Sequence, residues 1–136
     1  MRRREFLKGT LIASGAFAMT TVIPHKSMAA STYLDGIIYS KNNEGMWNGK
    51  SASHVPVIEI NGNSVKVTTN HVMTQEHYIV RHTLVSQIGE VIGDKTFSPK
   101  DEKAISTFEL PKGYKGILYA TSFCNRHDLW LAETNI

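Results

Sequence analysis

From residue 55 onwards, the chain shows the spacing of apolar and polar residues that is typical of β-strands. A short apolar segment at 57–60 is followed by Asn61-Gly62, a pair that favours a two-residue hairpin turn. Beyond this turn, Val65 and Val67 alternate with polar residues, so one face of the return strand is apolar. The pattern therefore predicts a β-hairpin that buries Val65 and Val67.

Short segments rich in β-forming residues recur along the rest of the chain, and turn residues separate them. In the segment 76–87, simple alternation places His82 and Leu84 on one face and Ile79 on the other. We expect no helix after residue 30. The predicted strands lie at 36–39, 57–60, 65–68, 76–87, 90–97, 104–110, 115–123 and 129–132. This spacing favours an all-β fold, a seven-stranded immunoglobulin-like antiparallel β-sandwich.

Residues 1–30 have the composition of an export signal. A basic start containing Arg3-Arg4 precedes a mostly apolar run, and small residues at Ala29 and Ala30 offer a cleavage site. The arginine pair is typical of the twin-arginine route, which exports folded proteins. The alternative is an uncleaved membrane anchor, but the apolar run is short for a span of about 20 residues. We expect cleavage, a mature domain at 31–136, and a location in the periplasm or cell envelope.

Removal of this segment changes the charge of the protein. The whole chain has 15 basic and 12 acidic residues, and five of the basic and one of the acidic residues lie within 1–30. The mature chain would carry 10 basic and 11 acidic residues, a net charge of −1. Such a balance gives no basic patch for nucleic acid. About 106 residues remain, enough for one modest core.

The chain has one cysteine, Cys124, three residues before His127. A lone thiol forms no disulfide within the chain, whereas a thiolate and an imidazole at this spacing can bind one metal ion from a tight turn. Export of a folded protein also suits a cofactor that is inserted before export. The alternative is a free cysteine that is simply a small buried apolar residue.

The other histidines add to this candidate site. His54 precedes the first strand of the hairpin, and His71 and His77 bracket the loop that follows it. Strand ends and loops are where a sandwich gathers its connections, so these residues are candidate ligands together with Cys124 and His127. His82 lies inside a predicted strand, and we expect it to be a half-buried or surface histidine outside the site.

Three segments resemble the superoxide reductases, which are also called neelaredoxins or the iron-binding domain of desulfoferrodoxins. They contain Gly49-Lys50 to Glu59, Asn70-His71 to Ile79, and Cys124-Asn125-Arg126-His127 to Trp130. The resemblance runs from about residue 50 to residue 133. The four cysteines of a rubredoxin-like extension are absent from the sequence, so the likeness is to the single-iron class.

The resemblance implies an iron enzyme. One iron would be bound by four histidines in a plane, with one cysteine on the axis and the sixth position open. These ligands would be His54, His71, His77, His127 and Cys124. Superoxide would be reduced there to hydrogen peroxide, with electrons from an external donor such as a rubredoxin-like protein or a small reductant. Backbone N–H groups of Asn125, Arg126 and His127 are expected to donate to the sulfur. Dimers or tetramers would also be expected.

The sequence departs from the family pattern just before His54. The family commonly has Glu-Lys there, and this chain has Ala52 and Ser53. Lys50 is the nearest cation, so it is the candidate for the catalytic role of attracting superoxide; the alternative is a solvated loop lysine. The missing pair leaves open a module that binds or senses a small ligand, or an electron carrier, on the same scaffold.

Overall fold

A computed structural model describes residues 33–136, and the predicted export signal at 1–30 lies outside them. This part of the chain forms eight strands, a single 3-10 turn at Gly45–Trp47 and one turn of α-helix, α1, at Ser51–His54. The strands are β1 (Ile38–Tyr39), β2 (Val57–Asn61), β3 (Ser64–Thr69), β4 (Ile79–Ser86), β5 (Val91–Thr96), β6 (Ala104–Glu109), β7 (Ile117–Cys124) and β8 (Asp128–Asn135).

The strands form two sheets. The larger sheet has the order β1-β8-β7-β4-β5, and the smaller has the order β2-β3-β6. Neighbouring strands are antiparallel except for the short β1, which pairs with β8 in parallel. The predicted β-sandwich is confirmed, and the two-residue β1 lies within the predicted short strand at 36–39. Among residues 33–136, no helix has the length and hydrophobicity that crossing a bilayer requires.

The predicted hairpin is formed by β2 and β3, with Asn61 opposite Ser64. Gly62 in its turn has a φ of 59°, which glycine adopts without a steric penalty. Val65 and Val67 are fully buried, as their alternation predicts.

Two groups of apolar side chains fill the space between the sheets. The larger group includes Val65, Val67, Leu84, Phe108 and Leu118. The smaller group consists of Ile79, Phe97, Ala104 and Cys124, with Met73 packed against it. Cys124 therefore belongs to the buried core and is also the last residue of β7, next to the following turn.

Strand β4 differs from its prediction in two ways. It begins at Ile79 rather than at residue 76, and the register with β7 shifts between Ile79 and Arg81. The extra residue at Val80 is a β-bulge, which reverses the alternation at this point. As a result Ile79 is buried on the same side as His82 and Leu84, so the predicted opposite placement is wrong.

Two further elements differ from the sequence expectation. Helix α1 has only four residues and the 3-10 turn has three, too few for a helical period to show in the sequence. The expectation of no helix after residue 30 is therefore wrong at α1. Strand β8 extends to Asn135, beyond the predicted end at residue 132, because its whole length pairs with β7.

Candidate metal centre

Five candidate ligands lie at one end of the sandwich. His54 ends α1, His71 and His77 lie in the loop between β3 and β4, Cys124 ends β7, and His127 lies in the turn before β8. One nitrogen of each histidine and the sulfur of Cys124 all lie within 4.8 Å of one another. The structure therefore brings together all five residues that the sequence singled out as ligands.

The four imidazoles form a closed ring of nitrogens. His54 Nε2 lies 3.1 Å from His71 Nε2, and His71 Nε2 lies 3.0 Å from His77 Nε2. His127 Nδ1 closes the ring, 3.1 Å from His77 Nε2 and 3.1 Å from His54 Nε2. A flat square with these sides has its centre about 2.2 Å from each corner, close to a metal–imidazole bond of about 2.0–2.1 Å.

The cysteine sulfur approaches this ring from the protein interior. Cys124 Sγ lies 3.7 Å from His71 Nε2 and 3.7 Å from His127 Nδ1, which are opposite corners of the ring. Cys124 is fully buried, whereas His71, His77 and His127 are partly exposed. The ring therefore lies near the surface, and the thiol lies beneath it.

Hydrogen bonds fix the tautomers of two of the histidines. His54 Nδ1 lies 3.0 Å from the carbonyl oxygen of Lys50, to which it donates, and 2.8 Å from Ser53 Oγ. His71 Nδ1 donates to the carbonyl oxygen of Val72 at 2.5 Å. Since Nδ1 carries the proton in both rings, both Nε2 atoms present lone pairs to each other. A cation bound between them satisfies these lone pairs, so the donor set fits a metal.

The surroundings keep the histidines in the neutral form that binds metals. Burial, together with the charges of the neighbouring histidines, lowers the pKa of His54 and of His77 to about 4. Burial also lowers the pKa of His71 and His127. At neutral pH the four rings are therefore uncharged, and no proton competes with a metal for the converging lone pairs.

The environment of Cys124 has two opposite effects on the pKa of its thiol. Burial raises the pKa of its thiol, while hydrogen bonds from the backbone N–H groups of Arg126 and His127 lower it. Asn125 was expected to be a third donor, but its N–H donates to the carbonyl oxygen of Tyr78 at 3.2 Å, so that expectation is wrong. Because a buried thiolate without a partner is unfavourable, a cation opposite the sulfur would stabilise the ionised form.

Asn125 joins two of the ligand loops, a role that the sequence analysis did not assign to it. Its side-chain oxygen accepts a hydrogen bond from Tyr78 N–H at 3.0 Å, and its side-chain nitrogen donates to the carbonyl oxygen of Glu76 at 3.1 Å. The loop that carries His77 is thereby tied to the turn that carries Cys124 and His127.

Lys50 lies at the start of α1 and is half-buried. After burial, which is the largest cause, its positive charge is among the effects that lower the pKa of His71, His77 and His127. The hydroxyl of Ser53, at a position where the family commonly has lysine, lies 3.2 Å from the carbonyl oxygen of Lys50, to which it donates. The backbone carbonyl of Lys50 therefore contacts His54, and its side-chain charge acts on the other three histidines.

The segment before Lys50 is held in place by contacts that no motif indicated. Trp47 Nε1 donates to Asp128 Oδ2 at 3.1 Å, and the indole lies edge-on to His127, with 4.7 Å between ring centres. The Glu44 carboxylate accepts a hydrogen bond from Gly49 N–H, and bonds to Ser51 and Gly49 lower its pKa. Trp47 and Asp128 are 81 residues apart, so the sequence gives no signal for this contact.

A family model described as Desulfoferrodoxin matches residues 44–133, which contain the whole ring of histidines and Cys124. The chain belongs to the desulfoferrodoxin family. The resemblance seen in the three motifs is thereby confirmed.

Relatives in the desulfoferrodoxin family agree with this assignment. A superoxide reductase of Pyrococcus abyssi is 34% identical over 110 residues, which cover 68% of this chain and 92% of that protein. A superoxide reductase of Pyrococcus furiosus is 33% identical over 117 residues, covering 68% and 93%. The solved superoxide reductase (neelaredoxin) of Ignicoccus hospitalis is 28% identical, with a TM-score of 0.57, covering 73% of this chain and 93% of that one.

Proposed function

We propose that this chain is a superoxide reductase, an oxidoreductase that converts superoxide to hydrogen peroxide at one iron per chain. The observation that carries the proposal is the closed ring of four imidazole nitrogens above a buried thiol. The iron would be held by His54, His71, His77, His127 and Cys124. When bound, ferrous iron supplies one electron, which together with two protons converts superoxide to hydrogen peroxide.

The protein groups prepare the site for this chemistry. The carbonyl oxygens of Lys50 and Val72 orient His54 and His71, so that their Nε2 atoms face the centre. The Cys124 thiolate would supply electron density to the bound iron, as thiolate ligands do in haem proteins. The N–H groups of Arg126 and His127 offset part of the negative charge on the sulfur and so tune the reduction potential.

Lys50 is the residue that we propose attracts superoxide to this site. Ala52 and Ser53 carry no charge, and the Lys50 ammonium acts on three of the four histidines. A cation at the entrance raises the local concentration of an anionic substrate and its association rate. The contacts of Glu44 and Trp47 hold the segment from which Lys50 projects.

Electrons must reach the site from another molecule. Within residues 33–136, the five-residue cluster is the one group of side chains arranged to hold a metal, so a second redox centre has no ligands there. We propose a rubredoxin-like protein or a small reductant as the donor. Twin-arginine export to the periplasm or cell envelope, with assembly as a dimer or tetramer, completes the proposal.

The absence of Glu-Lys before His54 favours one second candidate. With Ala52 and Ser53 at these positions, the same centre would serve as a module that binds or senses a small ligand, with poor turnover of superoxide. An electron carrier is less suited to this site, because carriers favour closed coordination with little rearrangement.

Stopped-flow spectroscopy separates these functions. The iron-loaded, reduced protein is mixed with pulses of superoxide, and the iron oxidation state and the peroxide yield are followed. A superoxide reductase oxidises its iron rapidly and forms one peroxide per superoxide, with little oxygen evolved. Slow or absent oxidation, with iron fully bound, would refute the enzyme and favour the ligand-binding module.

A further inference from the structure

A network of hydrogen-bonded, buried polar side chains crosses the core between the two sheets. His82 Nδ1 lies 2.8 Å from Ser106 Oγ, and His82 Nε2 lies 2.7 Å from Thr69 Oγ1. Thr69 Oγ1 in turn lies 2.8 Å from Ser122 Oγ. His82 and Ser122 are fully buried, and Thr69 and Ser106 are 2% and 3% exposed. The expectation that His82 would be half-buried or at the surface is therefore wrong.

These four residues connect the two sheets. His82 and Ser122 face each other on β4 and β7 of the larger sheet, while Thr69 and Ser106 belong to β3 and β6 of the smaller one. The imidazole also packs edge-on against Phe97, with 4.8 Å between ring centres. Phe97 belongs to the apolar group that contains Cys124, so the imidazole packs against the same group of side chains as the cysteine.

The members of this network satisfy one another's hydrogen-bonding groups. Burial lowers the pKa of His82 to about 4, so the ring is neutral at physiological pH and carries one donor and one acceptor. The ring can therefore donate to one of its two hydroxyl neighbours, Thr69 and Ser106, and accept from the other. Such a connected network fixes the relative positions of its members more strictly than apolar packing does, because each hydrogen bond has a preferred length and angle.

Two members of the network stand two residues before metal ligands. Thr69 is the last residue of β3, and its carbonyl oxygen accepts a hydrogen bond from His71 N–H at 2.9 Å. Ser122 lies two residues before Cys124, on the same buried face of β7. His82 thus acts on the ends of the two strands that deliver one equatorial ligand and the axial ligand.

We propose that His82 is a positioning residue, which sets the spacing between Cys124 and His71 through its hydrogen bond with Thr69, whose hydroxyl is bonded in turn to that of Ser122. The inference rests on the metal centre of the proposed function and is independent of its turnover of superoxide. An apolar residue of similar size would fill the same volume, but it would leave the hydroxyls of Thr69 and Ser106 without this partner.

The test compares two variants of the network with a matched control. His82→Leu removes the central imidazole, and Thr69→Val removes one hydroxyl while its shape is kept. Ser86→Ala removes a buried hydroxyl from the same strand, where Ser86 Oγ accepts a hydrogen bond from Glu90 N–H at 3.1 Å in the β4–β5 turn. All three proteins are loaded with iron, and the thiolate-to-iron charge-transfer band, the reduction potential and the Fe²⁺ affinity are measured.

We expect both network variants to shift the charge-transfer band and to weaken Fe²⁺ binding about three- to tenfold. This effect lies below the 10–100-fold typical of residues that contact a ligand directly, because His82 acts through a neighbour. Ser86→Ala should leave the band and the affinity unchanged. Lower thermal stability with the band, potential and affinity of the control would overturn the proposal. If His82→Leu does not fold, Thr69→Val decides between these outcomes. None of these measurements uses superoxide, so failure of the proposed enzyme activity is seen separately.

Discussion

The carbonyl oxygen of Lys50 accepts a hydrogen bond from His54 Nδ1 at 3.0 Å. One residue therefore contributes to the site in two ways, through a backbone atom that orients a ligand and through a side-chain charge near three other ligands. A substitution of the side chain leaves the carbonyl in place. The two contributions can thus be separated by mutation.

Lys50→Ala should slow superoxide capture about three- to tenfold, because the nearby cation that attracts the anion is lost. The Fe²⁺ affinity should stay unchanged, since the carbonyl that orients His54 remains. Stopped-flow measurement of the second-order rate constant at low and high salt checks both points. The variant should also show a weaker salt dependence.

Lys112→Ala is the matched control for Lys50. Lys112 is exposed in the turn after β6, at the opposite end of the smaller sheet from Thr69 and the ligand loop. Its removal changes the net charge equally but should leave the rate constant almost unaltered. Equal rates in the wild type and Lys50→Ala would show that Lys50 is a solvated loop lysine.

Cys124→Ser should remove the thiolate-to-iron charge-transfer band and abolish superoxide reduction, because a hydroxyl does not supply the electron density of a thiolate. The side chain is buried and its volume changes little, so the sandwich should still fold. Absorption spectra of the oxidised, iron-loaded protein and circular dichroism test the two statements. A variant that keeps both the band and the activity would refute the axial role of Cys124.

Asn125→Ala should lower stability by about 1–3 kcal/mol and accelerate iron loss, because both side-chain hydrogen bonds between the ligand loops disappear. Chemical denaturation and the rate of iron transfer to a chelator measure these effects. Asn63→Ala is the control, since its side chain donates to the carbonyl oxygen of Leu110 at 2.7 Å, at the far end of the smaller sheet. If both variants lose iron at the same rate, Asn125 has only a general structural role.

Metal-free protein should lose stability as the pH falls from about 6.5 towards 4. The pKa of His82 is lowered to about 4 in the folded state, so between these values the unfolded chain binds a proton that the folded chain does not. The stability that neutral His82 contributes is fully present above its pKa in the unfolded chain. Between pH 6.5 and pH 4 it is lost at about 1.4 kcal/mol per pH unit. Urea unfolding at pH 7, 6 and 5 should give a shallower slope for His82→Leu. Equal slopes of unfolding free energy against pH in the wild type and in His82→Leu would contradict the lowered pKa of His82.

Local patterns were sufficient to predict the strands and the five candidate ligands. Alternation identified Val65 and Val67 as buried, and the three motifs contained His54, His71, His77, Cys124 and His127. These signals lie within short segments, so distant parts of the chain hardly affect them.

The remaining features depend on contacts between distant segments. The bulge at Val80 follows from pairing with β7 and reverses the face of Ile79. Burial of His82 requires hydroxyls from three other strands, and none of them is marked by a motif. Strand pairing decides such features, and single-sequence periodicity contains no information on it.

The positions of the ligands have a mechanical consequence. His54 and His71 flank the hairpin of the smaller sheet, whereas Cys124 and His127 belong to the β7–β8 turn of the larger one. A metal ion bound by all of them is a cross-link between the two layers at one end of the sandwich. The opposite end contains the larger group of apolar side chains, which includes Phe108 and Leu118, and the hydrogen bond from Gln87 N–H to the Tyr114 hydroxyl. Removal of the metal would therefore remove this cross-link at the ligand end, where the hydrogen bonds of His82 with Thr69 and Ser106 would still join the two sheets.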